Sequence, residues 1–168
     1  MVANLGDSSL FHYQTSKKQL TKITEDHSVA GVLLQAEMIT TEMARYHEGR
    51  HRLEYYLGCA NLPPESPVHQ VALASGDLLL LCTDGISSSF SNEQMNKIFT
   101  NAGGNLDTLA EHLVTTAQRA GETDNQTLIL WQHHGKAVTA ADTVVQFQHN
   151  CVPNVACICP PSCVMFCR

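Results

Sequence analysis

The sequence predicts an α+β fold, on three observations. Strand-like segments come first, then helical ones, then strands and helices again, an order that does not alternate as a βαβ winding would. The run Gly76-Asp77-Leu78-Leu79-Leu80-Leu81-Cys82-Thr83-Asp84-Gly85 reads as a fully buried strand ending on a carboxylate and a glycine turn. About forty residues on, Asp124-Asn125 opens a second apolar run, residues 126–131. If the two runs pair antiparallel, the end of one lies beside the start of the other. Asp84 and Asp124 then converge at one sheet edge, an arrangement suited to a hard divalent cation.

Along the chain, residues 2–5 and 9–13 are strand candidates separated by the turn Gly6-Asp7-Ser8, and residues 19–23 form a third after the polar connection 15–18. Together they predict a β-meander. Ser28 is placed to cap a helix whose apolar stripe is Val29, Val32, Leu33 and Ala36. Thr40 caps a short helix from Thr41 to about Tyr46, with Glu42 in its first turn, where the helix dipole favours an acid. Residues 47–52 are charged and expected to be exposed. Prolines stiffen the loop 61–67, and residues 68–73 are a strand candidate.

Ser91 and Gln94 form a capping box, with Phe90 and Met95 at the staple positions, for a helix that buries Met95, Ile98 and Phe99. Asn105 caps a longer helix carrying Leu106, Leu109, Ala110, Leu113 and Ala117, stopped by Gly121. From Gly135 the composition changes, and prolines at 153, 160 and 161 bar a continuous helix in the tail. The expected organisation is one domain over residues 1–134 and an extension, 135–168, with a cysteine-rich, poorly ordered end.

A length of 168 residues and a hydrophobic content of 43% suit one soluble domain with a sizeable core. Ten basic against sixteen acidic residues, a net charge of -6, argue against a general nucleic-acid binder. No apolar run approaches the ~18 residues of a membrane helix. The first seven residues lack the basic and apolar regions of a secretory signal, so no membrane partner and a cytoplasmic location are expected.

With these pieces in place, the chain resembles the C-terminal two-thirds of a metal-dependent protein phosphatase of the PPM (type 2C) Ser/Thr family, in its bacterial form. Residues 3–11 resemble the family's A-N-x-G-D-S-R-x-Y strand pair, and residues 20–28 its L-x-x-L-T-x-D-H-S segment. Ile39-Thr40-Thr41-Glu42-Met43-Ala44, with His47 beyond, resembles the bacterial flap region. Residues 76–86 match G-D-x-x-L-L-C-S-D-G-L, and Asp124-Asn125-Gln126-Thr127 matches D-N-x-T. The anchors fall in family order from residue 3 to about residue 131.

The resemblance implies an antiparallel β-sandwich flanked by helices, with its N-terminal part missing. It implies hydrolysis of phosphoserine and phosphothreonine by Mn²⁺ or Mg²⁺, two ions roughly 4 Å apart generating a hydroxide and neutralising the phosphoryl oxygens. Asp84 and Asp124 match the aspartates that hold the first metal, and Asp7 matches a ligand of the third metal of bacterial members. Phosphorylated proteins, and a cognate Ser/Thr kinase, are the implied partners.

Several departures bear on this reading. The D-G-x-G-G motif, whose aspartate bridges the two metals in the family, occurs nowhere in the chain. Neither is the arginine present that grips the substrate phosphate from that upstream segment. Ser9 and Tyr55 stand where arginines are usual, and Ser88 where an aspartate is common. Weak metal binding and little turnover are therefore expected of this chain. Three accounts stay open: a fragment of a longer polypeptide, which is the one expected; a non-catalytic pseudophosphatase that binds phosphoproteins or a partner; or a chain completed by a second polypeptide.

Two further clusters carry weaker expectations. Cys151, Cys157, Cys159, Cys163 and Cys167, with His149, are a thiolate set for zinc or copper(I), although paired C-x2-C knuckles are lacking and an unstructured extension is the expected state. His47 and His51 have the i, i+4 spacing of metal ligands, but solvated side chains are expected, since the residues between them form no zincin signature. Cys82, inside the buried strand, is expected to be an inert core thiol.

Overall fold

The computed structural model describes residues 1–135 and 163–167, the latter as backbone. Two sheets carry the architecture. The larger has the strand order β3-β2-β5-β6-β7: Gln19–Lys22 (β3), Ser9–Gln14 (β2), Leu78–Cys82 (β5), Thr127–Gln132 (β6) and Cys163–Cys167 (β7), every neighbouring pair antiparallel. The smaller pairs Val2–Ala3 (β1) with Val68–His69 (β4).

Side-chain alternation divides the large sheet into two unlike faces. Phe11, Tyr13, Leu78, Leu80, Cys82, Leu128 and Leu130 point to one side and are buried. They pack against Met95 and Phe99 of helix α4 (Asn92–Asn101) and against Leu109, Ala110, Leu113, Val114 and Ala117 of α5 (Leu106–Arg119). On the other face Leu79, Leu81, Ile129 and Trp131 are only partly buried. A groove of about 200 Å³ is lined there by Val2, Ala3, Leu10, Leu81 and Ile129.

The helix starts follow the caps read from the sequence. Ser28 accepts from the Gly31 N–H to begin α1 (Val29–Gln35), and Thr40 accepts from Met43 N–H to begin α2 (Thr41–Tyr46). Ser91 and Gln94 form both bonds of the capping box, and Asn105 accepts from Thr108 N–H. Gly121, at φ 91°, takes the left-handed conformation that ends α5.

Three expectations change. The meander reduces to the hairpin β2–β3, because the chain turns at Gly6 (φ 121°) and β1 is drawn instead to β4, with Asn4 N–H donating to the Pro67 carbonyl. The strand expected over residues 68–73 is two residues long. Asp84-Gly85, read as a turn, is the first turn of a short helix, α3 (Asp84–Ser87). The amphipathic segment 138–148 and the cysteine-rich tail lie outside the described residues, apart from the β7 backbone.

Candidate metal centre

The site lies where β5 ends and β6 begins. Thr83 leaves β5 with its N–H donating to the Thr127 carbonyl at 3.0 Å, while its hydroxyl donates to the Asn125 carbonyl at 3.1 Å. The Thr127 N–H in turn donates to Thr83 Oγ1. Thr83 is the N-cap residue of α3, and its side chain ties the helix start to β6 instead of capping it. Gly85 makes the close approach possible: a Cβ there would stand 2.6 Å from the Asn125 carbonyl oxygen. Asp84 precedes Gly85 and Asp124 precedes Asn125, so the two residues flank this backbone contact at one end of the sheet.

Asp84 is partly buried. Its Oδ1 accepts from the Gly85 N–H at 2.9 Å, and its Oδ2 lies 3.4 Å from His51 Nδ1. Asp7 sits in the β1–β2 turn, which is anchored by Gly6 N–H donating to His27 Nδ1 and by His27 N–H donating to the Gly6 carbonyl. Burial raises the Asp7 carboxyl above its ordinary value, and the nearby negative charge of Asp84 raises it further. Asp7 and Asp84 are therefore brought together, and both line a cleft of about 660 Å³ with Asp26, Arg45, Arg50 and His51.

Asp124 is placed differently. It is exposed, does not line that cleft, and its Oδ1 accepts from the Asn125 N–H at 2.7 Å. Its backbone is held by Glu122, whose Oε1 accepts from the N–H groups of Thr123 (2.9 Å) and Asp124 (3.0 Å). The Asp124 N–H bond is the largest influence keeping the Glu122 carboxyl below its ordinary value. Glu122 Oε2 stands 3.4 Å from the hydroxyls of both Ser88 and Ser89, so this one side chain links the Asp124 loop to the end of α3.

The donor chemistry fits a hard cation: Asp7 and Asp84 offer carboxylate oxygens whose mutual repulsion a divalent ion would relieve. Among the described residues, however, no group of three His, Cys, Asp or Glu side chains converges as a ready set of ligands.

The histidines separate by role. His47 Nδ1 accepts from Gly49 N–H and starts a 3-10 turn, Glu48–His51, whereas His51 at its end faces Asp84. They do not form the pair that their spacing permits. Sequence reasoning did not connect His51 with Asp84, nor Glu122 with the Asp124 backbone. The first contact joins residues 33 positions apart and carries no local signal; for the second, an acid two residues before a turn aspartate was the available cue.

No family model matches the chain. It is 32% identical over 130 residues to the serine/threonine phosphatase stp of Listeria monocytogenes, an alignment covering 77% of this chain and 50% of that protein. The crystal structure of the PPM Ser-Thr phosphatase MsPP from Mycobacterium smegmatis, in complex with cacodylate, superposes with a TM-score of 0.65 at 30% identity, over 79% of this chain and 55% of that one. The catalytic domain of the serine threonine protein phosphatase PstP, solved in complex with 2 manganese ions, superposes with a TM-score of 0.58 at 25% identity, over 76% of this chain and 50% of that one. The chain spans about half the length of the curated relatives it matches.

Proposed function

We infer, from a chain with the sequence and fold of part of a bacterial PPM-type serine/threonine phosphatase, that it carries metal-holding residues for hydrolysis of phosphoserine and phosphothreonine. The observation that carries this reading is the joining of the Asp84 and Asp124 segments through Thr83, Gly85 and Asn125, with Asp7 beside Asp84. Asp84 and Asp124 would hold one Mn²⁺ or Mg²⁺ ion, and Asp7, beside Asp84, would be a ligand of a further one. The ion would supply Lewis acidity, generating a nucleophile from water and neutralising phosphoryl charge. The chain's own task would be to hold these carboxylates at one end of the large sheet.

Proteins phosphorylated on Ser or Thr are the proposed substrates, and a Ser/Thr kinase that produces them is the proposed partner. The cytoplasm is the proposed location; no described helix is long and apolar enough to cross a membrane. A second reading, a non-catalytic module that binds phosphoproteins, is favoured by Ser9, Tyr55 and Ser88, which stand where the family has arginines and an aspartate.

The test is Mn²⁺ titration of the full chain followed by electron paramagnetic resonance, alongside hydrolysis of p-nitrophenyl phosphate. Saturable Mn²⁺ binding that weakens at least about tenfold in Asp84→Asn and in Asp124→Asn supports the metal reading. Unchanged binding in both variants sinks it. Capture of a phosphopeptide without Mn²⁺ binding or turnover would favour the second reading.

A further inference from the structure

Arg50 Nε donates to His51 Nε2 at 2.7 Å. A guanidinium offers only donors, so Nε2 must present its lone pair. The imidazole hydrogen is then on Nδ1, the atom 3.4 Å from Asp84 Oδ2. Arg50 at 2.7 Å and the Asp84 carboxylate at 3.4 Å favour the same tautomer, Arg50 through the shorter contact.

The support beneath this contact is well built. Arg50 Nη1 donates to the Arg45 carbonyl at 2.9 Å, at the end of α2. The 3-10 turn carrying both residues is started by His47 and pressed onto α1, since a Cβ on Gly49 would stand 2.9 Å from Val29 Cβ. The other oxygen of Asp84 is already engaged by the Gly85 N–H. One oxygen is held by its own helix start, and the other lies 3.4 Å from His51 Nδ1, the nitrogen that bears the hydrogen.

We propose that Arg50 and His51 are positioning residues: Arg50 fixes the Nδ1–H tautomer of His51, and His51 orients the Asp84 carboxylate toward the cleft it shares with Asp7. The proposal rests on the reading of Asp84 as a metal ligand for its consequence, but not for its geometry. Histidine–carboxylate contacts of this kind orient ligands, and losing such an outer partner typically costs 10- to 100-fold in metal affinity.

Two measurements on the full chain test it. Long-range 1H–15N NMR, above the pH at which imidazoles titrate, should show His51 with a bare Nε2 and a protonated Nδ1; Arg50→Ala should move it toward a mixture of tautomers. A wild-type His51 protonated on Nε2, or one indifferent to Arg50→Ala, overturns the proposal. In Mn²⁺ titration, His51→Ala should weaken binding about tenfold, and His51→Asn, which keeps a donor near the Nδ1 position, should restore most of it. Equal affinity in His51→Ala and wild type overturns the proposal as well. A wild-type chain that binds no Mn²⁺ defeats the metal reading and with it the role of His51 toward a ligand, while the tautomer experiment still decides whether Arg50 fixes His51.

Discussion

At the residue scale, burial decides chemistry. Cys82 is 4% exposed on the core side of β5, and burial pushes its thiol up to about 12. A thiol held neutral in this way is a poor nucleophile. In native protein treated with iodoacetamide, peptide mapping should find Cys82 unmodified while the partly exposed Cys59 is alkylated; in urea both should react. Asp77 shows the opposite balance. Burial alone would raise its carboxyl, but bonds from the Ala74 N–H, the His12 ring and the Thr15 N–H hold it below the ordinary value of 3.8. Its folded value is depressed, so its contribution to stability is full above 3.8 and is lost as pH falls through the lower folded value. Asp77→Ala should cost about 3 kcal/mol by urea unfolding at neutral pH, because it leaves the buried His12 and two backbone donors without their acceptor. Asp77→Asn should flatten the acid limb of the stability profile. No acid-dependent difference between Asp77→Asn and wild type would show that the network does not carry this linkage.

At the element scale, capping was readable and strand pairing was less so. Ser28, Thr40, Ser91 and Asn105 each cap the helix that follows, because an N-cap bond is satisfied within three residues and so leaves a local mark. Ser91→Ala should destabilise the chain by about 1 kcal/mol in urea unfolding. The pairing of β1 with β4 has no comparable signature, since its partners are more than sixty residues apart. The first turn of α3 was hidden for another reason. Asp-Gly is a common turn pair, and only the packing of Gly85 on the Asn125 carbonyl explains why a glycine belongs in that helix. Gly85→Ala should push α3 off the entry to β6 and cost about 1–3 kcal/mol, with Mn²⁺ affinity falling alongside stability. A Gly85→Ala chain as stable as wild type would contradict the close approach.

At the scale of the whole molecule, the large sheet has one dry face and one half-covered face. The dry face is continuous with α4 and α5, so truncating its centre should be costly: Leu80→Ala, at a fully buried position, should lose about 2–5 kcal/mol. The opposite face leaves Leu79, Leu81, Ile129 and Trp131 partly exposed, with the β1–β4 pair lining one end of the groove there. Partly exposed apolar residues on a sheet favour self-association. Leu81→Ser with Ile129→Ser should reduce light scattering of the purified chain at high concentration, with a smaller loss of stability than Leu80→Ala.

The amino-acid sequence by itself determined the α+β class, the caps of four helices, the places of β5 and β6 (though β5, expected to be fully buried, is buried on one face only), and Asp84 and Asp124 as candidate ligands, Asp7 entering through the family resemblance. These were legible because periodicity, capping and turn chemistry act over a few residues. Only the tertiary structure decided that β1 joins β4, that Asp124 lies outside the cleft shared by Asp7 and Asp84, and that His51 and Glu122 serve the two carboxylate segments. Those outcomes depend on contacts between distant segments, whose geometry follows from how the sheet twists and where the helices press on it, and no short stretch of chain records that.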